Sequence, residues 1–124
     1  MNAPKWRSLR EVLEMCMRRF GRCTAEDIAA LYKDVPAPDG NQKAVLEELA
    51  TPAGAVVLAA VQHRFARDRA DLELARFGLS ADSAHDPAKL DPLARAAHQD
   101  HVRTRQRLHE AHARHREHER KRVP

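Results

Sequence analysis

The sequence predicts a mainly α protein: a small helical domain made of a three-helix unit and a long fourth helix, followed by an extended basic C-terminal helix. Three observations lead there. Apolar residues recur at three- and four-residue steps behind recognisable capping residues. Four glycines in 124 residues and 32% charged residues do not suit the many turns of a sandwich or barrel. Aromatics are 4% of the chain against 43% hydrophobic residues, so the core must be aliphatic and alanine-rich.

Each element has its own signal. Ser8-Leu9-Arg10-Glu11 has the form of a capping box. Leu9, Val12, Leu13, Cys16 and Phe20 follow on one face, and Gly21 offers a left-handed stop, giving a helix over about 9–20. Thr24 can cap a second helix, with Glu26 and Asp27 in its first turn and Ile28, Leu31 and Tyr32 as apolar contacts. Residues 36–40 (Pro-Ala-Pro-Asp-Gly) read as a turn. Asn41 can cap a third helix with Val45, Leu46 and Leu49 inward. Thr51-Pro52 starts a fourth, running to about residue 77 before Gly78, although residues 55–61 would also suit a buried strand. Arg64/Asp68, Arg67/Asp71 and Arg69/Glu73 are expected i,i+4 ion pairs, in the less favourable orientation.

The expected organisation is a globular domain over 1–78, a linker over 79–91 and an Arg/His-rich helix over 92–124. Asp86-Pro87 or Asp91-Pro92 would open that last helix. Leu90, Ala94, Ala97, His101, Thr104, Leu108, Ala111, His115 and His118 form a heptad-like seam with only two large aliphatics. Such a helix is expected to project into solvent or to wait for a partner, a second copy included.

Charge is segregated. The net charge is +4, and all of that excess lies between His98 and Arg122. There Arg103, Arg105, Arg107, Arg114, Arg116, Arg120, Lys121 and Arg122 outnumber Asp100, Glu110, Glu117 and Glu119. Six of the eight histidines (98, 101, 109, 112, 115 and 118) share this stretch. The arginines read as a general cationic surface able to neutralise phosphates, and the histidines as exposed groups adding charge when pH falls. Consecutive histidines three apart rotate around a helix, so four cannot converge on one ion; no metal and no cofactor are expected.

Other classes find little support. No stretch is long and apolar enough to span a bilayer, and the N-terminus does not read as a secretory signal. Cys16 and Cys23 match neither a disulfide framework nor a zinc signature, so a reduced, cytoplasmic setting is the default, with Cys16 a core residue. There is no nucleophile elbow, P-loop or Gly-rich nucleotide turn, so an enzyme is not expected.

The opening helix, the tight turn Gly21-Arg22-Cys23 and Thr24-Ala25-Glu26-Asp27-Ile28-Ala29 resemble helix-turn-helix DNA-binding domains of the winged kind over about residues 8–57. The resemblance implies a recognition helix opening at Asn41-Gln42-Lys43 and a wing near residues 53–57. Asn41, Gln42 and Lys43, with Arg18, Arg19 and Arg22 and the tail cations, are then the expected contacts to duplex DNA. Glu47 and Glu48 would set negative charge near phosphates. A small DNA-binding regulator or accessory factor is thus one reading. A helical protein–protein interaction module (inhibitor, adaptor or assembly subunit) is the other.

Overall fold

The computed structural model describes residues 8–34 and 41–122. The helices are α1 (Leu9–Phe20), α2 (Ala25–Asp34), α3 (Gln42–Leu49), α4 (Pro52–Ala75) and α5 (Pro92–Arg122), with a 3-10 turn at Pro87–Lys89. No strand occurs among the described residues, so 55–61 and the expected wing are helix. The turn expected over 36–40 lies outside the described residues.

Capping chemistry sets the helix starts. Ser8 Oγ accepts from the Glu11 amide at 3.4 Å. At α2, Thr24 Oγ1 accepts from the Asp27 amide, and the Asp27 carboxylate accepts from the Thr24 amide at 2.8 Å and from its hydroxyl at 2.7 Å. This is a capping box with aspartate in the usual glutamate position. Thr51 Oγ1 accepts from Gly54 N–H at 3.0 Å at the start of α4. Asp86 and Asp91 both act as caps, Asp86 for the 3-10 turn and Asp91 for α5. Asn41 does not cap α3 through its side chain; its Oδ1 instead accepts from the Tyr32 hydroxyl at 2.9 Å, tying α2 to α3.

The Thr24 hydrogen bonds, and the Arg22 guanidinium 2.9 Å away, hold the Asp27 carboxyl below its usual range. A carboxyl depressed on folding contributes stability above its ordinary value, lost as pH falls through the folded one. Asp27→Asn is therefore expected to flatten the acid limb of the stability profile below about pH 4. Urea melts of the two proteins across that range measure this directly.

α4 separates two packing regions. One face, with Val57, Leu58, Val61 and Phe65, closes the aliphatic core of Leu9, Val12, Leu13, Cys16, Ile28 and Leu31. Burial pushes the Cys16 and Cys23 thiols up to about 11, so both stay protonated at neutral pH. The small residues Ala66 and Ala70, with Leu74, are buried as well. Leu74 and Ala70 cluster with Ala81, Leu90, Ala94 and Ala97.

The seam of α5 is therefore occupied. Ala94, Ala97, His101, Thr104 and Ala111 are buried, and α4 with α5 forms the most extensive helix pair in the molecule. The expectation that this helix would stand in solvent is corrected over its first two thirds. Alanines on both helices let them pack closely around a few larger groups, Leu74, Leu90 and His101, and a seam poor in large aliphatics then suffices. Residues from His118 to Arg122 are exposed.

The three expected ion pairs within α4 do not form among the described residues; Arg64, Arg67 and Asp71 take tertiary partners instead, and Glu73 a local one. Arg64 reaches Glu14 of α1 at 3.4 Å and Arg67 reaches Asp82 at 2.7 Å. Asp71 accepts from the Ala81 amide at 2.7 Å, and Glu73 pairs with Arg76. Local spacing gave little preference to the arginine-first pairs, and long side chains found carboxylates on neighbouring elements.

Candidate nucleic-acid interface

The candidate cations fall into two groups. Arg18 pairs with Glu14 at 3.8 Å, Arg19 with Asp34 at 3.2 Å and Arg22 with Asp27 at 2.9 Å. In α5, Arg103 pairs with Asp100, Arg120 and Lys121 with Glu117, and Arg122 with Glu119. Among the described residues, Arg105, Arg107, Arg114 and Arg116 have no carboxylate partner, and all four are exposed. They lie within about 16 Å of helix.

The buried seam fixes how these four are displayed. Steps of seven and of eleven return close to the same side of a helix. Arg107 and Arg114 therefore share one edge with Arg103, and Arg105 and Arg116 share the opposite edge with His109 and His112. The reading of the arginines as a general surface is corrected: they form two rows flanking a crest. That crest, opposite the seam, carries exposed Gln99, Val102, Gln106 and Ala113. Glu110 stands beside it and accepts from Gln106 Nε2 at 3.3 Å.

Each row continues onto the body. On one side a cleft of about 360 Å³ is lined by Arg22, Arg69 and Arg107, with Met17 and Phe65 as apolar lining and Asp100 as its carboxylate. Arg69 was not among the expected site residues because its spacing to Glu73 suggested a local ion pair; no carboxylate holds it among the described residues. On the other side, Arg105 and Arg67 add positive potential at His63.

The third helix is a poorer interface. Asn41 is engaged by Tyr32, Gln42 is half-buried, and Lys43 is exposed on an eight-residue helix that also exposes Glu47 and Glu48. Gln42, Lys43, Leu46, Glu47 and Ala50 line an open hollow there. The described residues contain no group of three or more His, Cys, Asp or Glu side chains able to hold a metal ion. No single helix among them is long and apolar enough to cross a membrane. Compared with protein-family models, curated proteins and solved structures, the chain matches none.

Proposed function

We propose that this protein binds duplex DNA by laying the outer face of α5 in the major groove. The observation that carries the reading is the pair of arginine rows, Arg105/Arg116 and Arg107/Arg114, on either side of a crest of small and amide side chains. An α-helix with its side chains is about 10–12 Å across, and the major groove of B-DNA is about 12 Å wide. A helix seated there has a phosphate backbone on each side, which two flanking rows of guanidiniums fit. Gln99 and Gln106 on the crest offer amides to base edges, and Glu110 can accept from cytosine N4. Most of the affinity then comes from phosphates and is weakly sequence-dependent, as suits an accessory factor. The contact shifts from the third helix to the fifth, since α3 presents two carboxylates where phosphates would lie.

Groove width supplies the test. A-form RNA has a deep, narrow major groove that side chains cannot read. Fluorescence anisotropy with DNA and RNA duplexes of one random sequence is expected to show DNA bound at least about tenfold more tightly. Equal binding to both would reduce the reading to a polycation on a polyanion. Binding to neither would favour the second reading, a helical interaction module. The hollow on α3 beside Leu46 and Ala50 is the feature that supports it.

A further inference from the structure

A chain of four imidazoles crosses the junction of α4, the 76–91 connection and α5. His85 meets His98 edge to face with ring centroids 4.2 Å apart, His98 and His101 are 6.5 Å apart, and His101 stacks on His63 at 5.1 Å. His101 is 1% exposed. The Thr104 hydroxyl donates to the His101 carbonyl at 3.0 Å, so it accepts from His63 Nδ1 at 3.2 Å and sets that ring's tautomer. His85 Nε2, His98 Nδ1 and His101 Nδ1 are buried without a hydrogen-bond partner.

We propose that this histidine ladder is an acid-sensitive latch, holding α5 on α4 while its rings are neutral and releasing α5 when they gain protons. Neutral rings stack with little penalty. A proton on His101 puts a cation in a buried seam, and one on half-buried His63 or His98 sets a cation against further imidazoles. The surroundings largely oppose charging. Arg67 of α4 and Arg105 and His109 of α5 add positive potential, which Asp82 of the connection partly offsets. That carboxylate is already paired with Arg67 at 2.7 Å.

Burial first, and the neighbouring cations and imidazoles second, hold His63, His98 and His101 below the usual histidine range. Groups depressed in the docked form bind more protons once released. The docked form is therefore fully favoured above about pH 6.5, and that advantage shrinks as pH falls through it. The latch stands on ring geometry, burial and the charges around the rings, and does not depend on the DNA-binding reading.

Hydrogen exchange on the full chain, corrected for intrinsic rates, tests it at about pH 7.5 and about pH 5.5. Amides of α5 between Ala94 and Ala111 are expected to open at least about tenfold more at the lower pH, with α1 changing much less. His101→Gln, and separately the milder His98→Asn, are expected to remove most of that difference; His112→Gln/His118→Gln, at two exposed histidines of the same helix, is expected to leave it intact. Seam protection indifferent to pH, or a pH response equal in all variants, overturns the proposal. So does a His101 ring resonance with its titration midpoint at or above about 6.5.

Discussion

Replacing Gly54 with alanine is expected to destabilise the protein by about 3 kcal/mol, at the upper end of ordinary overpacking. Gly54 lies in the first turn of α4, where that helix crosses the end of α3. A Cβ there would overlap the Glu48 carbonyl oxygen and stand 2.7 Å from its carbon and 2.9 Å from Leu49 Cα. Backbone cannot rotate aside as a flexible side chain would. The Glu48 carbonyl is also anchored, accepting from the Thr51 amide at 3.0 Å and from its hydroxyl at 2.6 Å. Relief of the clash would cost those bonds or the seat of α4 on the core. Thermal melts should show a drop of about 10 °C or more. Gly78→Ala is the comparison: its φ is 71° but nothing lies within 4 Å of a new Cβ, so only the left-handed backbone cost of about 1–2 kcal/mol is expected. Equal losses at both sites would show that α3 and α4 can separate freely at this crossing.

The second large effect concerns affinity. Changing Arg105, Arg107, Arg114 and Arg116 together to glutamine is expected to weaken duplex DNA binding by about a hundredfold or more at moderate salt. The slope of log affinity against log salt should become shallower by about three to four, since each phosphate contact contributes about 0.9. All four side chains are exposed and unpaired among the described residues, so the fold should be retained. Changing Arg18, Arg19 and Arg22 instead should cost less affinity, because each is already partly neutralised by a carboxylate. It should also cost some stability, most at Arg22, whose partner Asp27 is itself buried. A quadruple variant that binds as the native chain does would place the interface elsewhere.

These results bear on what a sequence can and cannot disclose. The starts of α1, α2 and α4 were legible because Ser8, Thr24 and Thr51 act on amides three residues ahead, and such chemistry is written locally. Gly21 was legible for the same reason: its left-handed turn, and the hydrogen bond its N–H donates to the Met17 carbonyl, need only residues nearby in the chain. Asn41 had the same cap potential, but Tyr32 took its side chain, a choice made by tertiary contact. The seam of α5 was visible as a spacing and its partner was not. Alanine against alanine leaves no hydrophobic bulk by which one stretch announces another. The histidine ladder was hidden for a related reason. His98 and His101 were read with their neighbours on α5, whereas their physical neighbours, His85 and His63, come from the connection and from α4. The arginine rows were present in the spacing, but only the position of the buried face shows which sides of α5 they occupy.

The central claim is that α5, and not α3, meets DNA. Amide chemical-shift mapping of the full chain with a random-sequence duplex of about two helical turns tests it most directly. The account predicts perturbations concentrated on the outer side of α5, at Gln99, Val102, Gln106 and the residues flanking Arg105, Arg107, Arg114 and Arg116, with Gln42 and Lys43 little changed. Perturbations centred on Asn41, Gln42 and Lys43 while the crest of α5 stays silent would contradict it.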